Sequence, residues 1–279
     1  MRYILLVLAI ILLYAPLRAQ NFFLNIDAGA ANYDGELQQH RYTFQEAHPG
    51  GGLGLGYEFS PHFTLSTGFL LTEISGADKY SSNPGAVARN LSFYSNIFEW
   101  NVRAEYQLFD LSDRSISPYG FVGLAVFHFN PYAYDPTGQK VFLQPLSTEG
   151  EGLAGGPPKY SLTQFAIPFG AGLRLALSDN VRVGLEVGVR KTFTGYLDDV
   201  HGAYYDEFSL LNAKGAEAVE MAFRGNQLPG HTGATYPAAG NARGAGGDDW
   251  YYFTGLRISF RLSGAEYTHN HMGCPTRIL

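Results

Sequence analysis

The residues that could do chemistry in this chain are first of all charged ones. Asp27, Glu58, Glu99, Glu105 and Glu186, with Arg103, Arg174, Arg182, Arg190, Arg257 and Arg261, all belong to stretches in which apolar and polar residues alternate. Alternation places them together on the polar face of strands. The two signs nearly balance. An isolated buried charge costs several kcal/mol, so charges of both signs on one enclosed face are expected to pair. The expected chemistry is an internal salt-bridge network with Arg103, Glu105, Glu186 and Arg257 at its centre. A second possibility is nucleophilic catalysis at His128, in the sequence HFNP. It would need a serine on a neighbouring strand, and Ser92 and Ser161 stand at a suitable height. The plainer expectation is a histidine that fills the mouth of a lumen. A third possibility is metal binding by His269, His271 and Cys274. Their spacing matches no standard site and a fourth ligand is missing, so a terminal tail with Cys274 as a candidate contact is the simpler reading. The Gly-rich stretches Gly150–Gly156 and Gly240–Gly247 lack the Lys and Ser/Thr of a phosphate loop. No cofactor and no metal are expected.

The elements that must position these charges are strands. Val181–Phe193 reads VRVGLEVGVRKTF, with Val181, Val183, Leu185, Val187 and Val189 on one face and Arg182, Glu186 and Arg190 on the other. Seven further segments share the period of two: Phe22–Ala31, Gly52–Phe59, Phe63–Ile74, Leu91–Phe109, Tyr119–Asn130, Ser161–Leu177 and Trp250–Leu262. The phase of Tyr119–Asn130 stays open, because both its faces are apolar. The phase elsewhere predicts Trp100, Tyr106, Trp250 and Tyr252 facing outward. Pro168 cannot donate to a ladder, so a bulge or irregularity is expected there. Lys191 falls on the outward phase near a strand end, where it can reach headgroups.

Eight strands can close on themselves, leaving no unpaired edge in hydrocarbon. The connections Ser60–His62, Asp110–Ser117 and Ser178–Asn180 are short, and they alternate strictly with long ones at Asn32–Pro49, Ser75–Asn90, Pro131–Lys159 and Thr194–Asp249. That is the loop pattern of outer-membrane barrels. The chain is 15% aromatic and 16% charged, with 34 Gly, a composition suited to aromatic girdles. The expected fold is therefore all-β: an eight-stranded antiparallel transmembrane barrel in the outer membrane, with short periplasmic turns and long extracellular loops. Residues 1–19 read as an export signal, with Ile4–Leu13 as its apolar region and Ala19 before the cut. Residues 20–262 form the barrel and 263–279 a periplasmic tail. A formal charge of −6 and the lack of a basic patch argue against nucleic acid. Cys274 is the single cysteine, so no internal disulfide can form.

Several loop segments carry a resemblance. Asn32-Tyr33-Asp34-Gly35-Glu36-Leu37 is similar to the NYxGDL segment of a PorG-like family of small outer-membrane barrels from Bacteroidetes. His48-Pro49-Gly50, Ser117-Pro118-Tyr119, Phe129-Asn130-Pro131, Leu143-Gln144-Pro145-Leu146 with Thr148-Glu149-Gly150, Tyr196-Leu197-Asp198-Asp199-Val200 and Cys274-Pro275 also look like it. The matches run in order over nearly the whole mature chain. One departure is Gly195, where the pattern leads one to expect a polar residue. The resemblance implies a non-enzymatic barrel associated with the type IX (Por) secretion system, with outer-membrane lipid and periplasmic secretion-ring proteins as partners. It marks Asn32, Tyr33, Gly35, Glu36, Glu149, Tyr196, Asp198 and Asp199 as candidate loop residues. The residues alone leave three readings: a plugged anchoring barrel, a small-molecule or ion channel, and a lipid-modifying enzyme.

Overall fold

The period of two is realised as long antiparallel strands in a computed structural model, which describes residues 21–38, 43–230 and 233–262. Ten strands form in chain order: β1 (Phe22–Asp34), β2 (His48–Glu58), β3 (Phe63–Ala77), β4 (Ser92–Gln107), β5 (Ile116–His128), β6 (Pro131–Tyr134), β7 (Lys140–Phe142), β8 (Thr163–Ala176), β9 (Val181–Thr192) and β10 (Trp250–Arg261). Eight of them close into a barrel in the order β3-β2-β1-β10-β9-β8-β5-β4, with β3 pairing β4 to complete the ring. The short strands β6 and β7 form a hairpin that extends the outer end of β4, through Tyr94↔Tyr132. The alternation read from the sequence had no signal for this hairpin. Among the described residues, no helix is long and apolar enough to cross a membrane.

Phase follows the expected pattern. Leu53, Leu71, Trp100, Tyr106, Phe165 and Leu256 are exposed on the outer face, while Ser66, Glu105, Arg174 and Glu186 are buried on the inner one. The β5 phase is now settled, with Tyr119, Phe121, Ala125 and Phe127 inside and Val122 and Leu124 outside. This corrects the reading of His128. It lies outside the wall, exposed, with its Nδ1 3.1 Å from Thr163 Oγ1. Neither Ser92 nor Ser161 meets it: Ser92 Oγ accepts from Arg224 and Ser161 Oγ donates to Thr163 O. At Pro168 the pairing of β5 with β8 lapses between Val122↔Phe169 and Ala125↔Ala166, yet the register is unchanged on either side. Pro168 thus interrupts the ladder without inserting a residue.

The short connections lie at one end and the long ones at the other. The long loops hold structure of their own. Asn83 caps α1 (Pro84–Arg89) by accepting from Gly85 N, and Asn90 ends it in the left-handed region. Asp206 caps α2 (Glu207–Lys214) through Ser209 N, and α3 (Ala216–Ala222) follows at once. The main apolar core fills the upper lumen and continues into these loops, joining Tyr33, Phe93, Phe127, Phe129 and Tyr251 to Leu197 and Val200.

Candidate functional site: the lumen network and the loop cap

The inward charges of the strands meet as one network in the lower lumen. Glu105 is its hub. It accepts from Arg103 at 2.9 Å, Arg174 at 2.7 Å and Arg257 at 2.9 Å, and from the Ser66 hydroxyl at 2.7 Å. Glu186 accepts from Arg103 at 2.7 Å and from the Tyr119 hydroxyl at 2.9 Å. Arg257 closes the circuit through both oxygens of Asp27, at 2.7 and 3.1 Å. The strand register explains the meeting, since Asp27 lies directly opposite Arg257 and β9 carries Glu186 beside β10 Gly255. Two satellite pairs flank this centre. Arg182 donates to Glu58 at 2.6 Å, and Arg190 donates to Glu99 at 3.1 Å, where the Tyr251 hydroxyl adds a bond of 2.7 Å.

Ten of the eleven charges expected in the lumen thus take part in ion pairs. Arg261 is the exception: it forms no ion pair among the described residues. Its guanidinium instead lies 5.0 Å from the Phe23 ring centroid, beside Arg182, which stacks on the same ring at 4.2 Å. One aromatic ring near the strand ends serves both cations, a use the charge pattern did not reveal. Sequence reasoning also missed Tyr119, Tyr251 and Ser66, whose hydroxyls donate into the carboxylates. Aromatics that fall on the polar phase were the available signal. Between these side chains lie a cavity of about 20 Å³ lined by Asp27, Arg103, Glu186, Arg190 and Arg257 among others, and one of about 10 Å³ beside Glu105, Arg174 and Arg182. Each has room for about one water at most.

The loop motif residues form a second constellation, at the opposite end of the upper core. The Tyr33 hydroxyl donates to Asp198 at 2.7 Å and to Asp249 at 3.0 Å. Asp249 also accepts from Leu197 N at 2.9 Å, and Asp198 from Val200 N at 2.9 Å. Glu36, Asp198 and Asp249 each bring a carboxylate oxygen within 4.8 Å of the others. Hard oxygen ligands of this kind suit a divalent cation, but three single oxygens fall well short of the six to eight that calcium takes. Beside them, Asp199 accepts from the hydroxyls of Thr148 at 2.5 Å and Tyr160 at 2.6 Å. Glu149 caps the backbone of His201 and Gly202 at 2.9 and 2.8 Å, and Arg243 donates to it at 3.1 Å. Tyr196 stacks on Tyr160 with ring centroids 4.5 Å apart. Asn32 donates to Thr43 O at 2.5 Å.

These residues were marked as loop contacts, yet most of them face inward: Tyr33 and Asp199 are fully buried, and Asn32, Glu149 and Asp198 nearly so. They lock loops to each other. The two glycines of the motif regions show how tight the packing is. A Cβ on Gly35 would lie 2.0 Å from the Tyr33 hydroxyl and 2.1 Å from Asp249 Oδ1. At Gly195 it would lie 2.1 Å from Gly247 O and 2.2 Å from His201 Nδ1, so no polar side chain fits there. Burial governs the electrostatics. It raises the carboxyls of Asp198 and Asp249 well above the ordinary range, with neighbouring acids adding to the effect. Burial likewise lifts Asp199 to about 6, against the opposing pull of Arg243, and Glu151 to about 8. Sequence reasoning missed Asp249, Arg243, Tyr160 and Glu151; no periodicity marks a residue in a long loop. Residues 1–19, the tail 263–279 and with it Cys274 lie outside the described residues.

The wall resembles known barrels at low identity. Neisserial surface protein A shares 10% identity at a TM-score of 0.43, over 86% of this chain and 97% of that one. OprG from Pseudomonas aeruginosa shares 9% at 0.39, over 87% and 97%. Ail of Yersinia pestis, solved with the heparin analogue sucrose octasulfate, shares 9% at 0.38, over 86% and 97%. No curated protein matches the chain. A family model does match, over residues 4–212: the outer membrane protein beta-barrel domain. With the closed eight-stranded wall and its outward apolar belt, this makes the chain an outer-membrane protein, and it belongs to the outer membrane protein beta-barrel domain family.

Proposed function

We propose that the barrel is a non-enzymatic, structural or anchoring component of a type IX protein secretion complex. The observation that carries this reading is convergence. The motif segments at Asn32–Leu37, Thr148–Gly150 and Tyr196–Val200, far apart in sequence, meet in one buried cap above a lumen filled by ion pairs. The resemblance to PorG-like barrels of Bacteroidetes links that set of segments to the secretion machinery. A lumen whose cavities each hold about one water at most supports an anchor over a conduit. In this reading periplasmic secretion-ring proteins bind at the short-turn end, with the tail Gly264–Leu279 and Cys274 as their contact.

The test is a mild-detergent pull-down through a tag inserted in an exposed loop, with partners identified by mass spectrometry. Periplasmic ring proteins should co-purify, and deleting Gly264–Leu279 should release them while the barrel still inserts. Recovery of the barrel without them would overturn the reading. Steady conductance of the wild-type protein in a planar bilayer would favour the channel alternative, and altered lipid structures in a deletion strain the lipid-modifying one.

A further inference from the structure

Arg224 is the arginine that the ion-pair networks leave out. Among the described residues every other arginine meets a carboxylate or, for Arg114 and Arg261, an aromatic ring. Arg224 has neither, yet it is half-buried and firmly placed. Its backbone N–H donates to Arg89 O at 3.3 Å, and its carbonyl accepts from Asn90 Nδ2 at 3.1 Å. These bonds fix it to the C-terminus of α1. Its Nη1 donates to Ser92 Oγ at 3.2 Å and its Nε to Gln227 Oε1 at 3.1 Å. Gln227 in turn donates to Glu220 at 3.1 Å, so an amide stands between that acid and the guanidinium. Nη2 has no acceptor among the described residues. A cation withdrawn from water without a counterion is penalised, and burial accordingly lowers Arg224 from the ordinary arginine value.

The side chain lines a cavity of about 110 Å³. The strand register builds another part of its wall. Ala77 lies opposite Ser92 and Ser75 opposite Tyr94, so the outer face of the β3–β4 seam presents Ser92 and Tyr94 to the space. Lys79 lines it from just past the end of β3, and Asn90 from the cap of α1. Among the described residues Glu46 is the single acid on the wall, and it already accepts from the Ser75 hydroxyl. Asp78, next to Lys79 in the chain, is occupied by Arg89 at 2.7 and 2.9 Å. Two cations against one carboxylate leave the cavity net positive. It also stands outside the membrane. Leu71 and Phe98, opposite each other, are the last exposed apolar pair on these two strands. From Phe98 the strand runs on to Ser92, about 20 Å at the usual rise of a β-strand.

We propose that this cavity is an extracellular binding site for a tetrahedral oxyanion, a phosphate or sulfate group taken from the medium. Arg224 supplies a planar fork that is held in place before the ligand arrives. Lys79 supplies a mobile point charge from a separate segment. The hydroxyls of Ser92 and Tyr94 donate to the remaining oxygens. A planar carboxylate meets the fork alone, whereas a tetrahedral group meets donors on several sides.

The test is isothermal titration calorimetry of the full-length protein in mild detergent, in chloride buffer at fixed ionic strength. The probes are inorganic phosphate, inorganic sulfate, glucose 6-phosphate and acetate. Phosphate and sulfate should bind at one site, and acetate about tenfold more weakly. Tighter binding of glucose 6-phosphate than of inorganic phosphate marks an ester-borne group as the ligand, and the reverse order a free ion; either order supports the site. Arg224→Met should weaken phosphate binding about tenfold or more, and Arg224→Lys less. Lys79→Gln should weaken it about threefold, and Glu46→Gln, which removes the opposing charge, should strengthen it by about as much. Lys159→Gln, outside the cavity, should leave it unchanged. The Lys79 and Glu46 changes keep the backbone anchors of Arg224, so their opposite signs are readable even where Arg224→Met loosens the loop. The proposal is overturned if wild type shows no saturable binding of phosphate or sulfate, or binds acetate equally well. Wild-type affinity in Arg224→Met, weaker binding in Glu46→Gln, or a loss in Lys159→Gln equal to that in Lys79→Gln overturns it too.

Discussion

The lumen and the loop cap both bury carboxylates, and they neutralise them differently. In the lumen each of Asp27, Glu58, Glu99, Glu105 and Glu186 meets an arginine. In the cap, Asp198, Asp249 and Glu36 crowd together with no ion pair among the described residues, and Arg243 serves Glu149 and, at 4.0 Å, Asp199. The strands explain the contrast. A regular wall faces one enclosed volume from all sides, so a charge at one height finds its opposite across a few ångströms. The cap is made of loops, and its acids are spent on backbone amides and hydroxyls that pin those loops in place. The lumen is therefore held by arginines, and the cap by hydrogen bonds and protons.

Breaking the lumen network should have the largest effect. Glu105→Ala takes a carboxylate from three guanidiniums and leaves Arg174 with no ion pair, so it should destabilise the barrel by about 3–5 kcal/mol, whereas Glu186→Ala leaves Arg103 with Glu105 and Arg257 with Asp27 and should cost less. Thermal unfolding in detergent measures this, and melting temperatures equal to wild type would refute the network as a structural hub. Arg243→Met in the cap should cost less, near the lower end at about 3 kcal/mol, because the acids it leaves behind can take up protons. Its effect should be local: proteolysis of the loops at 193–249 should rise while the wall keeps its melting temperature.

The pH response sharpens the contrast. Burial raises Asp198, Asp249, Asp199 and Glu151, so the folded cap binds more protons than the unfolded loops above the ordinary carboxylate range. Folding is then penalised progressively as pH rises from the ordinary carboxylate range through about 8, where folded Glu151 gives up its proton. Hydrogen-exchange protection at Leu197 and Val200, corrected for intrinsic rates, should be greater at pH 5 than at pH 8. The reverse order would show that the cap acids are held as anions by a partner or cation. The smallest change expected is Tyr33→Phe. It removes one hydroxyl that serves Asp198 and Asp249, and should cost about 1–3 kcal/mol of cap stability, read by the same exchange experiment with the lumen unaffected.

Much of the wall was legible because a strand translates sequence into space by a simple rule. Alternation at Val181–Phe193 and Trp100–Leu108 is enough to say which side chains face the lumen, and strict alternation of short and long connections says which end each loop occupies. Where alternation fails, so does the reading. Tyr119–Asn130 is apolar on both faces, and only pairing with β4 and β8 turned Tyr119 inward onto Glu186 and His128 outward onto Thr163. The sign balance implied pairing, but which charges pair depends on register: Glu105 gathers Arg103, Arg174 and Arg257 because three strands bring them to one height, while Arg261 is left to stack on Phe23.

The sequence by itself determined the eight wall strands, the faces of all but the fifth of them, the loop asymmetry and the presence of a charge-filled interior, since each follows from local periodicity and composition. Only the tertiary structure decided the cap. Tyr33, Asp198 and Asp249 stand 165 and 216 residues apart along the chain, and no local pattern links a strand-end tyrosine to acids in a distant loop. Their meeting requires the first and last strands to be neighbours, which is a consequence of closure.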